Sequence, residues 1–371
     1  MKLLFVLENY APHIGGVETV FRSLCEGLAA RGHDVTVITH LIPGTKRRET
    51  LGGVDIARVP CYDSRYLFTF AAIPKVLRYA KDTDIIHTTT FNGAPPAWLG
   101  ARLCGKSVII TVHETWMGKW RQYTNFGTLR AALHEMLERA VFLPHYDRYA
   151  CVSKATASQL TAALPNRKND IVSIHNGFDD SHWTRKKPWE QLRKKMKYDD
   201  KFLIFSYGRP GTSKGFRYLL DAFPLIKKRI PNAVLLLMLS DDKQYRRELE
   251  RMKENAPEGI IFLKPRPYKE IPYYTQMADC IVVPSITEGF GYVVLEACAS
   301  GTPVVASDTT SIPEVIWGKH VLVKPKDPAA IADGVLKVKQ GKYDSTPEKR
   351  FPWSRTISLY EKEYKRLKEK R

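Results

Sequence analysis

Short runs of apolar residues alternate with stretches of helical periodicity along most of the chain. KLLFVLEN predicts a strand, and after a break at YAPHIGG the pattern VETVFRSLCEGLAARG predicts a helix that ends at Gly32. DVTVIT then predicts a second strand. Because strands separated by helices pair in parallel and are covered on both faces, this order predicts an α/β sheet.

The same alternation continues through both halves of the chain. Further segments of the first half predict the helix YLFTFAAIPKVLRYA, the strands DIIHTT and SVIITVHE, the helix LRAALHEMLERAV and the strand RYACVS. After the basic stretch HWTRKKPWEQLRKKMKYDD the pattern restarts with the strand FLIFSYG, a helix from Phe216, and the strands AVLLLML, IIFLKP, CIVVPS, TPVVAS and VLVKP. We therefore expect two α/β domains, over residues 1–178 and 179–353.

The last segment, over residues 354–371, predicts an amphipathic helix. Four apolar or aromatic residues recur on one of its faces, namely Ile357, Tyr360, Tyr364 and Leu367. We expect this helix to cross back to the first domain.

Composition and length agree with a two-domain globular protein. The chain has 371 residues, of which 44% are hydrophobic and 26% are charged. No stretch approaches the ~20 consecutive apolar residues of a membrane span. MKLLFVLENYAP lacks the basic start and the cleavage site of a secretory signal, so we expect a cytoplasmic protein.

The charge balance narrows the possible partners. Lys and Arg number 58 against 39 Asp and Glu, which gives a net charge of +19. This charge predicts attraction to nucleic acid, to phosphate esters or to an acidic membrane face, and it also fits a lysine-rich surface of the kind found in heat-adapted proteins. The six cysteines are scattered without a C-x-x-C pair, so they do not predict a zinc site.

Two glycine-containing loops each stand between a predicted strand and a predicted helix. Gly15 and Gly16 follow the first strand, and GRPGTSKG, residues 208–215, opens the second half. Glycine lets a ligand approach the backbone, amides at a helix start favour an anion, and Arg209 and Lys214 could turn toward a diphosphate. Neither loop has the G-x-G-x-x-G pattern or the P-loop spacing, and an ordinary tight or solvated loop would also fit.

A third loop, within SITEGFGYVVLEACASGTPVVAS, places two carboxylates near one helix start. Glu288 lies in the loop and Glu296 lies in the helix predicted over 292–299, whose first amides favour a phosphate. No Asp or His accompanies them at helical spacing, which disfavours a metal clamp. Carboxylates accept hydrogen bonds from the vicinal hydroxyls of a hexose or a ribose. With the basic loop beside them, the two glutamates predict a nucleotide-sugar site.

These motifs resemble those of the retaining glycosyltransferases of family four. The family has G-G-x-E after the first strand, G-R-x-x-x-x-K-G at the start of the second domain, and E-G-F-G-x-x-x-x-E-A, which here are residues 15–18, 208–215 and 288–297. The resemblance implies the GT-B fold, in which two Rossmann-like domains with parallel sheets face an interdomain cleft. The first domain would lie on the acceptor side, and the second would bind the donor.

The resemblance also implies roles for particular residues. Arg209 and Lys214 would neutralise the departing diphosphate, Glu296 would bind the ribose, and Glu288 would contact the transferred sugar. Gly16 would let its loop close on the diphosphate or the acceptor. His113, in TVHET, would lie near the sugar. The expected catalytic residues are thus His113, Arg209, Lys214 and Glu288, and the expected donor-binding residues are Gly16, Arg209, Lys214, Glu288, Gly289, Phe290, Gly291 and Glu296.

The reaction expected from the resemblance is transfer of a hexose from a UDP- or GDP-sugar to a hydroxyl of a lipid-linked, polysaccharide or other glycan acceptor, with no metal or further cofactor. Two alternatives remain at this point: a nucleotide-sugar 2-epimerase of the same fold, and a basic nucleic-acid-binding protein. The second would require exposed aromatics interleaved with basic residues, or a recognition helix, and neither is visible.

The segment over residues 65–81 is apolar and aromatic in its middle and basic toward its ends. Such a stretch could rest on an anionic membrane face, or it could be a helix whose apolar side covers the sheet. We expect peripheral association with the inner face of the cell membrane.

Overall fold

The computed structural model of the protein describes residues 1–13, 15–62, 64–184, 188–242 and 245–370. Residues 185–187 of the basic stretch and residue 371 of the predicted last helix lie outside the described residues. The chain divides into two compact units. The first consists of Met1–Trp120, Thr128–Gly177 and Phe351–Arg371, and the second of Arg121–Gly127 and Phe178–Arg350.

The described residues of the first unit form an eight-stranded sheet in the order β3-β4-β2-β1-β5-β6-β7-β8. Its strands are β1 (Lys2–Val6), β2 (Asp34–His40), β3 (Arg48–Leu51), β4 (Val54–Val59), β5 (Ile85–Thr89), β6 (Ser107–Val112), β7 (Arg148–Cys151) and β8 (Ile171–Ser173). The helices in this part of the chain are α1 (Gly16–Ala30), α2 (Arg65–Ala71), α3 (Ile73–Ala80), α4 (Ala94–Leu103), α5 (Trp120–Tyr123), α6 (Thr128–Phe142) and α7 (Lys154–Ala163).

The second unit contains a seven-stranded sheet among its described residues, in the order β11-β10-β9-β12-β13-β14-β15. The helices from this point on are α8 (Ser181–Thr184), α9 (Trp189–Lys195), α10 (Phe216–Arg229), α11 (Arg246–Glu254), α12 (Ile271–Met277), α13 (Tyr292–Ala299), α14 (Ile312–Val315), α15 (Pro328–Lys339) and the last helix, α16 (Trp353–Glu369), which belongs to the first unit. The strands are β9 (Phe202–Gly208), β10 (Ala233–Leu239), β11 (Ile260–Leu263), β12 (Cys280–Val283), β13 (Val304–Ser307), β14 (Gly318–Val323) and β15 (Asp344–Thr346).

The central strands are buried on both faces of their sheets. In β1, Leu4 and Val6 join one apolar core while Leu3 and Phe5 join another. Successive side chains of a strand point to opposite faces, so one core lies on each side of the sheet. The near-continuous apolar runs of the sequence are therefore those of parallel strands covered on both sides, and the prediction of two Rossmann-like α/β domains is confirmed.

Each sheet also has one antiparallel edge strand that was not predicted. The strand β3 pairs antiparallel with β4, and β15 pairs antiparallel with β14. Their sequences, RETL and DST, are polar and mostly exposed. A short strand at a sheet edge packs little apolar surface, so it leaves no hydrophobic pattern to detect.

The predicted helix YLFTFAAIPKVLRYA is in fact two helices, α2 and α3, which meet at Ala72. Pro74 explains the break, because proline has no N–H to donate to the carbonyl four residues before it. Phe68 and Val76 are buried in the core against the sheet. The opposite face of α2 is exposed, with Tyr66 65% and Phe70 69% accessible. One face of the segment thus covers the sheet, as expected for a core helix, and the other face exposes aromatic rings to solvent.

The helix α16 packs into the core of the first unit through the predicted face. Its four predicted residues, Ile357, Tyr360, Tyr364 and Leu367, are all buried. The contact with α1 is close, since a Cβ on Gly27 would lie only 2.3 Å from Cδ1 of Ile357. The glycine in the middle of α1 therefore makes room for the last helix.

A buried polar network joins α16 to the sheet. The Nδ1 atom of His87 lies 2.7 Å from the Tyr364 hydroxyl, and its Nε2 atom lies 2.8 Å from the Thr111 hydroxyl. The Tyr360 hydroxyl lies 2.9 Å from the same Thr111 oxygen. Burial, with a smaller contribution from the nearby His113, lowers the pKa of His87 to about 3, so His87 is neutral at physiological pH.

Candidate active site

The loop over residues 208–215 leaves the carboxyl end of β9 and is shaped by its glycines. Gly208 has a φ of +145° and Gly215 a φ of +68°, where other residues are strained. A Cβ on Gly215 would also lie 2.0 Å from the main-chain oxygen of Pro284, just beyond β12. The loop that bears Arg209 and Lys214 is therefore held against the end of the neighbouring strand.

Lys214 and Glu288 come together at this end of the sheet. The Lys214 ammonium donates a 2.7 Å hydrogen bond to Oε1 of Glu288, and the Ser285 hydroxyl donates to the same oxygen at 2.8 Å. Glu288 is only 8% exposed, and its main-chain N–H donates to the Thr310 hydroxyl at 2.9 Å. These contacts fix the orientation of both charged side chains.

Arg209 differs from Lys214 in having no ion pair or hydrogen bond with any residue that the structure describes. Arg209 is exposed and belongs to the same loop as Lys214. An exposed guanidinium keeps all five of its N–H donors available for a planar oxyanion such as phosphate.

Glu296 lies in α13, and each of its carboxylate oxygens accepts a hydrogen bond from a tyrosine. Tyr207 donates to Oε2 at 2.7 Å, and Tyr268 donates to Oε1 at 2.9 Å. Burial raises the pKa of Glu296 to about 7, against the opposing effect of the two tyrosine hydrogen bonds. Each carboxylate oxygen has two lone pairs, so both can accept a further hydroxyl. Glu296 is held in one orientation and changes charge near neutral pH.

The predicted turn between the two glutamates opens α13 as expected. Gly291 is the N-cap residue, with a φ of +90° and no side-chain cap. Phe290 is buried, and its ring makes an edge contact with Tyr292 at a centroid distance of 5.2 Å. Gly289 precedes them in the same loop. The N-terminus of this helix lies in the loop that also contains Glu288, where its dipole favours an anion.

The first unit contains the other predicted glycine loop. Gly15 is the N-cap of α1, and a Cβ there would lie 2.2 Å from Oε2 of Glu18. A Cβ on Gly16 would meet no atom of the described residues within 4 Å. A side chain on Gly15 would therefore have to displace the flexible Glu18 carboxylate, whereas a side chain on Gly16 would displace no described atom.

His113 follows β6 in the first unit. Its Nε2 atom is buried and has no hydrogen-bond partner among the described residues. Its ring makes an edge contact with Phe21 at 5.8 Å, and burial lowers its pKa to about 4, so the imidazole is neutral at pH 7. A buried nitrogen without a partner is costly in a protein interior, so Nε2 of His113 is available to a water molecule or to a ligand group.

The structure thus brings Lys214 to Glu288, but it gives Glu296 a separate set of partners. Sequence reasoning missed Ser285, Tyr207 and Tyr268, which hold the two glutamates. Ser285 stands three residues before Glu288 and could have been noticed. No local pattern relates Tyr207 or Tyr268 to Glu296, because the contacts span 89 and 28 residues of sequence. Among the described residues, no group of three or more His, Cys, Asp or Glu is placed to hold a metal ion.

Comparison with known families accounts for both halves of the chain. The family described as Glycosyltransferase Family 4 matches residues 14–182, and that described as Glycosyl transferases group 1 matches residues 188–351. Together the matches include all three motif loops. The chain belongs to the group 1, family 4 glycosyltransferases.

Similar proteins span nearly the whole of this glycosyltransferase. An uncharacterised glycosyltransferase of Methanocaldococcus jannaschii is 29% identical, over 91% of this chain and 89% of its own. The alpha-monoglucosyldiacylglycerol synthase of Streptococcus pneumoniae is 26% identical, over 86% of this chain and 74% of its own. The Anabaena protein HepE, solved in complex with UDP-glucose, superposes with a TM-score of 0.72 at 18% identity over 99% of this chain and 100% of that one. This glycosyltransferase therefore has the GT-B fold.

Proposed function

We propose that this glycosyltransferase moves a hexose, with retention of configuration, from a UDP- or GDP-sugar to a hydroxyl of a lipid-linked, polysaccharide or other glycan acceptor. The observation that supports it most is the fixed Lys214–Glu288 pair at the carboxyl ends of neighbouring parallel strands, with the exposed Arg209 in the same loop as Lys214. Ligands of open α/β sheets bind at such ends. HepE, which shares the fold, binds UDP-glucose.

The diphosphate of the donor is assigned to the basic loop. Arg209 and Lys214 supply positive charge where the departing diphosphate becomes more negative, and such stabilisation lowers the barrier only if it is stronger in the transition state. Glu288 orients Lys214 and offers its remaining lone pairs to a hydroxyl of the hexose. No cofactor beyond the donor takes part in this scheme.

The nucleoside is assigned to Glu296. Its carboxylate is oriented by Tyr207 and Tyr268 and accepts hydrogen bonds from the two ribose hydroxyls. The ionised form accepts both bonds, whereas the protonated form accepts fewer. Because the pKa of Glu296 is raised to about 7, donor affinity should depend on pH within the physiological range.

Two residues of the first unit complete the assignment. Gly16 leaves room for a phosphate or an acceptor oxygen at the start of α1, a helix of 15 residues. The buried Nε2 of His113 hydrogen-bonds a hydroxyl of the transferred hexose. His113 is a positioning group in this scheme and not a general base.

Retention follows if the acceptor attacks from the face that the leaving group vacates. The bond between the anomeric carbon and the diphosphate oxygen breaks, and a bond from the acceptor oxygen forms on the same face. The departing phosphate oxygen takes the acceptor proton, so the products are the glycoside and the protonated nucleoside diphosphate. NMR of the first-formed product decides the point: an inverted anomeric centre would overturn the proposal.

Association with the inner face of the cell membrane is proposed through α2 and α3. No helix among the described residues is long and apolar enough to cross a membrane. Tyr66 and Phe70 are exposed on α2, while burial and the neighbouring charges of Arg48 and Arg47 lower the pKa of Lys75 on α3, which indicates a cluster of like charges. Aromatic and basic groups together suit an anionic lipid surface.

Sedimentation with liposomes at low salt tests this association. We expect binding to anionic vesicles that salt abolishes, and loss of binding in a Tyr66→Ser, Phe70→Ser variant. The matched control is Leu129→Ser, Leu133→Ser on the exposed apolar face of α6. If the wild type sedimented with neither anionic nor neutral vesicles, the proposal would be contradicted.

The donor class is tested by thermal unfolding with UDP-, GDP- and ADP-sugars, because a ligand that binds only the native state raises its apparent stability. We expect stabilisation by a UDP- or GDP-sugar, and transfer of the sugar to an added hydroxyl acceptor. Stabilisation by a polynucleotide, with none by any nucleotide sugar, would favour the nucleic-acid-binding alternative.

A further inference from the structure

A buried carboxylate outside the predicted site residues lies at the same end of the first sheet as the Gly15–Gly16 loop. Glu8 follows β1, is 8% exposed, and accepts hydrogen bonds on both oxygens. Arg65 Nε donates to Oε1 at 2.5 Å, and Asn92 Nδ2 donates to Oε2 at 2.6 Å. These three residues, the polar cluster, lie just beyond the carboxyl ends of the paired strands β1 and β5, where open α/β sheets bind ligands.

Phe91, which precedes Asn92, is held in a strained conformation. Its φ is +76°, a left-handed value that bulky side chains rarely adopt, yet its ring is 41% exposed. The loop is pinned by the Thr69 hydroxyl, which donates to the main-chain oxygen of Asn92 at 3.2 Å, and by Gly93, where a Cβ would lie 2.6 Å from the main-chain oxygen of Val6. Strain of this kind occurs where the surroundings fix a residue, and it clusters at binding sites.

The helix α2 joins the polar cluster to an apolar surface. Arg65 is its first residue, and Thr69 contacts the loop of Asn92. Three further residues of α2 are exposed, namely Tyr66, Leu67 and Phe70. We call these three side chains, together with Phe91, the aromatic face. An exposed apolar surface bordered by fixed polar groups is typical of a binding site.

Another charge of the first unit lies close to the polar cluster. Burial lowers the pKa of Arg65, but the hydrogen bond to Glu8 and, to a smaller extent, the charge of Glu18 in the first turn of α1 raise it, and the net effect is a rise. A negative charge in the first turn of α1, the helix whose start receives a phosphate or an acceptor oxygen under the proposed function, therefore acts on Arg65.

We propose that the polar cluster and the aromatic face bind the acceptor, and that the acceptor is an amphiphile. Glu8 and Asn92 hydrogen-bond hydroxyls of its head group, and its hydrocarbon chain lies along Tyr66, Phe70 and Phe91. This assignment rests on the proposed glycosyl transfer and specifies its acceptor. The occupant is an amphiphile because the polar cluster and the exposed apolar side chains meet at α2, so that one molecule with a hydroxyl-bearing head group and a hydrocarbon chain can contact both.

The test compares two probes that share a head group, n-dodecyl β-D-glucoside below its micellar concentration and methyl β-D-glucoside, in binding titrations followed by NMR of the probe. The wild type should bind the dodecyl compound at least roughly tenfold more tightly, since each buried methylene adds to affinity. Phe70→Ser should remove this preference. Glu8→Gln and Asn92→Ala should weaken binding of both probes by roughly tenfold or more, through loss of hydrogen bonds to the head group.

Phe70 is exposed, so Phe70→Ser tests the apolar part of the proposal even if Glu8→Gln does not fold. Leu129→Ser on α6 is the control for loss of an exposed apolar side chain and should behave as the wild type. Equal affinity of the wild type for the two glucosides, failure to bind either, or wild-type affinities in all three variants would overturn the acceptor assignment. Thermal shifts with UDP- and GDP-sugars are measured on the same samples. Their absence in the wild type would refute the proposed function, whereas their presence with unaltered glucoside binding would refute only the acceptor site.

Discussion

The ammonium of Lys214 lies 2.7 Å from Oε1 of Glu288. The two residues stand 74 positions apart in sequence and meet because their loops leave the carboxyl ends of adjacent parallel strands. The lysine is thereby both oriented and partly neutralised. A donor diphosphate that pairs with Lys214 must compete with Glu288 for the ammonium group. Arg209, by contrast, forms an ion pair with no described residue. The two basic residues are therefore expected to differ in their effects.

Replacing either basic residue by alanine should lower kcat more than it weakens donor binding, because their charges matter most as the diphosphate departs. We expect Lys214→Ala to weaken donor binding more than Arg209→Ala, since removal of Lys214 also leaves the buried carboxylate of Glu288 unpaired near the diphosphate. Steady-state kinetics and donor titrations measure both quantities. Lys228→Ala, an exposed lysine of α10, is the control. An unchanged kcat with only a raised KM would mean that these residues merely hold the donor.

Glu296→Gln and Glu296→Ala should weaken donor binding by about 1.5–3 kcal/mol, roughly ten- to hundredfold, because a charge-assisted hydrogen bond is lost. Affinity of the wild type should fall as the pH drops through about 7, where the carboxylate gains its proton. The affinity of Glu296→Gln should not change over that range. Isothermal titration between pH 6 and 8 measures both effects, and a wild-type response in the glutamine variant would exclude Glu296 as the titrating group.

Two glycine substitutions should separate binding from folding. In Gly16→Ala the added Cβ would meet no described atom within 4 Å, and alanine favours a helix. The free energy of unfolding should therefore be unchanged or rise by about 0.5–1 kcal/mol, while sugar transfer slows. Gly215→Ala, with a φ of +68° and a Cβ 2.0 Å from a main-chain oxygen, should lower both stability and activity. Urea unfolding beside an activity assay distinguishes them. Full activity in Gly16→Ala would remove Gly16 from the site.

The first unit should lose stability in mild acid because of His87. Its pKa is lowered to about 3 in the folded protein, against about 6.5 when unfolded, so below pH 6.5 the unfolded state binds the proton more strongly. One such group contributes a slope of about 1.4 kcal/mol per pH unit. Urea unfolding at several pH values should show a shallower slope for His87→Gln and an unaltered one for Leu129→Ser, an exposed and non-titrating position of α6. Equal slopes in all three proteins would contradict this account.

Hydrophobic pattern was enough to predict the two α/β sheets, and the glycine and glutamate motifs were enough to predict the loops of the candidate site. The hydrophobic pattern failed where a single residue interrupts a continuous periodicity, and where a segment has no apolar face. Pro74 splits a helix whose periodicity is otherwise continuous, and β3 has no apolar face to reveal it. The polar cluster was missed because Glu8 and Asn92 are 84 residues apart, and neither lies in a recognisable motif. Contacts of that separation depend on strand order, which a single sequence does not state.

The position of α16 also has a consequence for biosynthesis. Its tyrosines complete the core above His87 and Phe5, yet the ribosome makes the whole of the second unit before this helix. During synthesis, the apolar face of the first unit that α16 covers therefore stays exposed until translation has passed Arg350. The second unit is different, because most of its chain is the continuous segment Phe178–Arg350. The protein's earliest-made strands therefore reach their final packing last.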